Sequence, residues 1–159
     1  MASPYITKSD FKVAADCRTK LFYRKNGYPT NLDENEYLRF LADGGFMIEF
    51  IAKARFPTGI DLVEERNPIT AFERTRQLMT GPNVVLFEAA ATIGKYHIRT
   101  DILEKTGNVL NLIEVKSSSI DDDDENDAGS PFLTKKGMVV SRWKKYLMDV
   151  AFQTHVLRL

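Results

Sequence analysis

The stretch "NVVLFEAAATIGKYHIRTDILEKTGNVLNLIEVKSSS", residues 83–119, decides the fold. Three segments in it, "NVVLFEAAAT", "KYHIRTDILE" and "VLNLIEVKSS", are short and rich in apolar and β-branched residues, which predicts three strands. Thr106-Gly107-Asn108 separates the second from the third as a tight hairpin turn. Side chains two apart on a strand share a face. Leu110, Leu112, Glu114, Lys116 and Ser118 therefore fall on one side, and Asn111, Ile113, Val115 and Ser117 on the other. Paired residue numbers in an antiparallel hairpin have a constant sum. A turn at Gly107-Asn108 sets that sum at 215 and places Asp101 opposite Glu114. A turn at Thr106-Gly107 sets it at 213, pairs Asp101 with Leu112 and still leaves it on Glu114's face. A one-residue slip would put the two acids on opposite faces, so the register constrains the chemistry.

Helical patterns surround these strands. Ser9-Asp10 offers N-cap chemistry ahead of "FKVAADCRTKLFYRK", and Gly27 and Pro29 stop that helix. Asn31 or Asp33 caps a second helix, in which Leu38, Leu41, Ile48 and Ala52 keep helical spacing, Gly44-Gly45 marks a kink or close-packing point, and Pro57 and Gly59 end it. Pro68 suits the first turn of "ITAFERTRQLM", closed by Gly81-Pro82. From Ser141 onward, Trp143, Tyr146, Leu147, Val150, Ala151 and Leu157 form one helical stripe. Helices, then strands with an antiparallel hairpin, then a helix make a mixed α/β domain with helices covering the sheet. The 159 residues suffice for one domain, residues 1–159. The last helix meets no stop signal, as in the N-terminal part of a longer protein with a downstream domain or partner protein.

With 43% hydrophobic and 28% charged residues the composition is that of a globular protein, and no apolar run approaches the ~20 residues of a membrane helix. The N-terminus lacks a basic stretch followed by an apolar one, and Cys17 is the only cysteine; the expectation is a reduced, cytoplasmic setting without membrane contact. The 22 basic and 22 acidic residues balance, but six acids stand in "DDDDENDAGS". Outside that run 22 basic residues face 16 acidic ones, a net +6, which suits an anionic polymer. Segment 120–131 is predicted to be an acidic mobile loop; with Ala128 and Lys135 at two ligand positions it does not fit a calcium loop. Lys135, Lys136, Arg142, Lys144 and Lys145 follow it and suit phosphate contacts. Phe11, Phe22, Tyr23 and Phe132 are either base-stacking or core aromatics.

Two carboxylates side by side on a half-buried sheet repel, and ionising both is unfavourable unless a cation sits between them. A hard divalent metal resolves the conflict, since Mg²⁺ uses one or two carboxylates, waters and substrate phosphate. Lys116, one pleat further on, points at the same water or phosphate. Metal plus lysine forms a kit for phosphodiester hydrolysis. The alternative is a structural ion pair among Asp101, Glu114 and Lys116.

The string "RTDILEKTGNVLNLIEVKSSS" resembles the PD-(D/E)XK nuclease superfamily motif, an Asp on one strand and Glu-x-Lys on the next, and more narrowly the RecB-like nuclease domains that include CRISPR-associated exonucleases. "DGGFMIEFIAKARFPTG" resembles the first-helix motif, with Glu49 at the position that often joins the metal site. "LFEAAAT" resembles the first core strand, and "YLMDVAFQTHVL" the following helix with its glutamine, Gln153. The resemblance covers residues 80–159 well and 9–59 weakly. It implies a restriction-endonuclease-like core, a central mixed sheet flanked by helices, and Mg²⁺- or Mn²⁺-dependent cleavage of DNA, single-stranded DNA included, in repair, recombination or defence. Asp101, Glu114, the Val115 carbonyl and Glu49 are then the metal ligands, and Asp101, Glu114, Lys116 and Gln153 the catalytic set. Some relatives hold an iron–sulfur cluster through one early and three late cysteines; only the early one, Cys17, has a counterpart here, so no cluster is expected in this chain. The rival reading is a catalytically inactive module of the same fold that binds nucleic acid or a partner protein.

Five residues carry further readings. Glu49 also reads as a solvated helix glutamate, and Gln153 as a surface amide. Glu88, alternating with Val84, Leu86 and Ala90, is either close to the metal or paired with Arg99 or Lys95. Asp149 reads as an i,i+4 partner of Lys145. His97, alternating with Arg99 and Asp101, reads as a plain strand histidine or a substrate contact.

Overall fold

The computed structural model describes residues 4–29, 36–120 and 130–159, with side chains from residue 44 onward in the middle segment. It is an α/β structure. Among the described residues there are five helices and a four-stranded mixed sheet, and no helix is long and apolar enough to cross a membrane. The helix caps at Asn31 and Asp33, the side chains of Leu38 and Leu41 and the acidic residues 121–129 lie outside the described residues.

The sheet is built on the predicted strands. Strand β2 (Asn83–Ile93) pairs antiparallel with β3 (Tyr96–Thr106), which pairs antiparallel with β4 (Val109–Ile113). Gly107 (φ +58°) opens the two-residue β3–β4 turn, a conformation glycine reaches without a Cβ penalty. A two-residue strand absent from the sequence reading, β1 (Ile60–Asp61), lies parallel to β2, so the order is β1-β2-β3-β4. It is too short to show any alternation. Gly59 just before it is pressed on the Phe87 ring, where a Cβ would come within 2.6 Å of Cε2.

The long N-terminal helix expected through Cys17 is two helices, α1 (Lys8–Asp16) and α2 (Arg18–Lys25), because Cys17 is extended (φ −159°, ψ 119°). The N-cap is Thr7 rather than Ser9-Asp10: its hydroxyl accepts from the Asp10 N–H (3.2 Å), and Asp10 returns a bond to the Thr7 N–H (3.0 Å), a capping box. Arg24 and Lys25 of α2 then pair with the buried Asp10 (3.2 and 2.7 Å), folding α2 back on α1.

Helix α3 (Glu36–Ala54) runs unbroken through Gly44-Gly45, where an added Cβ would meet nothing within 4 Å, so no close packing occurs there. Nor does Ile48 face inward. The half-buried side carries Glu49, Ala52 and Lys53, while Phe46, Met47, Phe50 and Ile51 are exposed. Lys53 ties this side to the sheet, pairing with Asp61 (3.0 Å) and lying over the Phe87 ring, and it also pairs with Glu49 one turn before it on the helix (2.7 Å).

Helix α4 (Pro68–Leu78) starts as read, with Asn67 capping and Pro68 in the first turn, and packs on β2. Helix α5 (Ser141–Arg158) packs on β2, β3 and α1. Its buried side matches the expected stripe in part: Trp143 is buried and Tyr146, Val150 and Leu157 are half-buried, but Leu147 and Ala151 are exposed, and Asp149, Phe152, Gln153 and Val156 are buried instead. Two polar side chains thus lie on the packed face, and their partners, described below, explain the helix's rotation. The apolar core has two clusters, Leu62, Leu86, Ala89 and Leu103, and Ala91, Ile98, Phe152 and Val156; Leu157 of α5 packs against both, and Phe11 stacks on Phe152 at 4.7 Å.

Candidate active site

Ladder pairs Thr106↔Val109 and Ile102↔Ile113 fix the β3–β4 sum at 215, the register of the Gly107-Asn108 turn. One step further, Asp101 faces Glu114. There β4 ends, five residues before Ser118 where the strand was expected to run out. The physical reason is at Asp101: its Oδ2 accepts from the Val115 N–H (2.7 Å), a side-chain oxygen taking the donor that a backbone carbonyl would otherwise hold. Lys116 then starts a turn, with its carbonyl accepting from the Ser118 N–H (3.0 Å).

Strand β4 covers only the Ile102–Thr106 part of β3. Ile6 occupies the stretch beside Tyr96 and His97, with the Ile6 N–H donating to the Lys95 carbonyl (2.7 Å) and the His97 N–H to the Ile6 carbonyl (3.1 Å). That seam leads α1 past Asp101 and brings Lys8 into the site. The Lys8 ammonium lies 2.8 and 3.1 Å from the two Glu114 oxygens and 3.6 Å from Asp101 Oδ1. The two acids do share a cation, and it is a lysine from the chain's start that the sequence reading left unassigned.

Glu114, 3% exposed, collects two further donors: the Lys116 ammonium on Oε1 and Gln153 Nε2 on Oε2 (2.6 Å). Gln153 is fully buried on α5, so it reaches the site rather than the surface. Asp149, one turn before it, is also fully buried and does not pair with Lys145. Its Oδ2 meets Lys12 of α1 (3.2 Å) and Lys116 (3.5 Å). A third acid thus belongs to the network, and the signal for it was its i,i+4 spacing with Gln153. Asp149 Oδ1 and Gln153 Oε1 are buried without hydrogen-bond partners. Such orphaned acceptors are rare in packed interiors.

Burial raises the Asp101 carboxyl above its ordinary value; the Glu114 charge adds to the shift and Lys8 opposes it. Burial also pushes Glu114 up, but bonds from Lys116, Lys8 and Gln153 outweigh it and hold that carboxyl below its usual range. For Lys8, burial favours the neutral amine, yet the Glu114 bond and the charges of Asp101, Glu114 and Asp149 keep its pKa above normal. The network is therefore ionised at neutral pH around Glu114 and Lys8.

Glu49, Asp101, Val115 and Lys116 line one open pocket of about 360 Å³ together with Phe46, an exposed aromatic that the strand pattern gave no reason to single out. Glu88 lies opposite Asp101 in the β2–β3 register and pairs with Arg99 (3.3 Å), one of its two expected partners. It does not continue the alternation of Leu86. Its φ is +54°, the facing slips by one residue there, and Leu86 and Ala89 fall in the same cluster. Burial raises the Glu88 carboxyl. Arg99 also donates to the carbonyls of Leu62 (2.6 Å) and Glu65 (2.7 Å), tying the β1–α4 connection to the sheet. His97 is buried, with Nδ1 bonded to Thr92 Oγ1 (2.8 Å), surroundings that suit a plain strand histidine. Of the basic cluster, Lys135, Lys136 and Arg142 line a different depression of about 570 Å³ that shares no residue with the Asp101 pocket.

The donors suit a hard cation. Asp101 and Glu114 present carboxylate oxygens to one point already held by a positive charge, and Mg²⁺ needs no more than one or two protein carboxylates. Among the described residues no group of three His, Cys, Asp or Glu side chains forms a ready-made metal cage. No family model, curated protein or solved structure matches the chain.

Proposed function

We propose that the chain is a metal-dependent nuclease of the PD-(D/E)XK type, RecB-like and acting on DNA, with the mixed sheet as a restriction-endonuclease-like core. The observation that carries this reading is the convergence of the Asp101 and Glu114 carboxylates on a single cation position with Lys116 and Gln153 beside it.

Asp101, Glu114 and the Val115 carbonyl would hold Mg²⁺ or Mn²⁺, with Glu49 across the same pocket. When bound, the ion supplies charge neutralisation at a phosphoryl oxygen and an acidified water. The Val115 N–H fixes the rotamer of Asp101, and Gln153 fixes that of Glu114, so both acids are preorganised. Lys116 stands on the same side as Glu114 and is 27% exposed, able to orient the attacking water and stabilise charge on the phosphate. The open pocket leaves room for a phosphodiester.

The non-catalytic alternative has one specific observation in its favour: Lys8 and Lys116 already neutralise the acids, as a purely structural ion-pair cluster would require. Incubation with single- and double-stranded DNA plus Mg²⁺ or Mn²⁺ separates the two. Cleavage abolished by EDTA, by Glu114→Ala and by Lys116→Ala, with DNA binding retained, is the expected result. Cleavage that persists in both variants or in EDTA refutes the nuclease mechanism, and binding without cleavage under any metal supports the inactive module.

A further inference from the structure

We propose that Lys8 is the resident counter-ion of the Asp101–Glu114 pair, and that a divalent ion enters by exchanging with its ammonium. The inference rests on the metal-dependent reading of the site. Lys8 Nζ touches both Glu114 oxygens (2.8 and 3.1 Å) and stands 3.6 Å from Asp101 Oδ1. A Mg²⁺ bound to the same oxygens at about 2.0–2.1 Å would use the same lone pairs and repel the ammonium. One of the two cations must leave.

The lysine is built to leave without taking its helix along. Its backbone is fixed, because Thr7 and Asp10 cap α1, Phe11 stacks on Phe152, and Lys12 pairs with Asp149. Its side chain is 22% exposed, so a rotamer change opens a route to water. Lys8's two acids are the pair the ion would take, whereas Lys116 has an acid outside that pair: its ammonium also faces Asp149 Oδ2 at 3.5 Å and keeps that partner if Glu114 is taken.

The charges give the exchange a consequence for substrate. Counted as formal charges, three carboxylates (Asp101, Glu114, Asp149) match three ammoniums (Lys8, Lys12, Lys116), a sum of zero with Lys8 in place. A divalent ion in place of Lys8 leaves it at +1, the complement of one phosphodiester. The lysine-held state has no such pull on the nucleic acid backbone, and displaced Lys8 is free to meet a phosphate.

The test measures Mn²⁺ binding directly, by electron paramagnetic resonance of the free ion, with no activity readout. Lys8→Met is expected to tighten Mn²⁺ by ~10- to 100-fold, the factor one hydrogen bond to a charged group represents. Lys12→Met removes the same charge from the network but not from the acid pair, and is expected to change affinity far less; Glu114→Gln should lose the site. In the wild-type protein, Mn²⁺ should raise acetic anhydride labelling of Lys8 while leaving exposed Lys20 unchanged, which keeps the idea testable if Lys8→Met fails to fold. Equal affinity in wild type and Lys8→Met, or Mn²⁺ bound at Glu114 with Lys8 labelling unaltered, overturns the exchange and leaves the metal site standing. No Mn²⁺ bound by wild type or by Lys8→Met overturns both.

Discussion

Replacing Glu114 by glutamine keeps the side chain's shape and removes the charge on which Lys8, Lys116 and Gln153 converge. Breaking a buried charge pair costs about 3–5 kcal/mol, and each hydrogen bond to a charged group is worth about 1.5–3 kcal/mol. Lys8 and Lys116 are 22% and 27% exposed and retain Asp101 and Asp149 as neighbours, so water and those acids recover part of the loss. The low end, about 3 kcal/mol at pH 7, is the expected destabilisation. In a domain of this size that lowers Tm by roughly 6–12 °C. Urea unfolding followed by Trp143, the single tryptophan and a buried one, measures it. The pH dependence follows from the shifts. Glu114 has its folded pKa below the usual 4.5, so its stabilisation is present above that value and lost as pH falls through the folded one. Lys8 has its folded pKa above the usual 10.5, so its contribution is present below that value and lost as pH rises through the folded one. The gap between wild type and Glu114→Gln should be flat around neutrality and close at both extremes. Coincident urea midpoints at pH 7, or a gap that widens on acidification, would refute the assignment of Glu114 as the charge centre.

Gly59→Ala drives a Cβ into the Phe87 ring and should cost about 1–3 kcal/mol in urea unfolding, with Phe87→Leu restoring part of the loss in the double variant. At Glu88 the left-handed φ of +54° carries ~1–2 kcal/mol of strain. Glu88→Gly should therefore leave stability within about 1 kcal/mol of wild type despite the lost Arg99 pair, whereas Glu88→Val, β-branched at positive φ, should lose about 2 kcal/mol or more. Arg99→Lys retains the charge but not the fork that reaches the Leu62 and Glu65 carbonyls, and should lower the thermal midpoint by several degrees, corresponding to about 2 kcal/mol.

Strands β2 and β3, the start of β4 and the face shared by Asp101 and Glu114 were legible because side-chain alternation and a two-residue turn leave few registers. Strand β1 was not, since two residues carry no period. The break at Cys17 has neither proline nor glycine to announce it. The site was half legible. Gln153 came from the resemblance, but Lys8 is 106 residues from Glu114, and nothing local to "TKSDF" marks it as a counter-ion. Asp149 was misread because Lys145 offered a sufficient local partner; its real one, Lys12, lies 137 residues away. The stripe on α5 was drawn from apolar residues alone, and it missed the two polar side chains that these distant lysines and Glu114 draw inward. Glu88 broke a pattern that depends on uniform backbone conformation.

Those long separations bear on how the protein is made. Translation delivers Lys8 and Lys12 before Asp149 and Gln153. At ~5–20 residues per second, the 137 positions between Lys12 and its acid take about 7–27 s to synthesise. Until then the nascent hairpin bearing Asp101 and Glu114 lacks the α5 half of its surroundings, and Gln153 cannot yet orient its carboxylate. This centre consequently cannot assemble until α5 has been made, and a truncated product ending before α5 should carry the strands without the Asp149 and Gln153 half of the network.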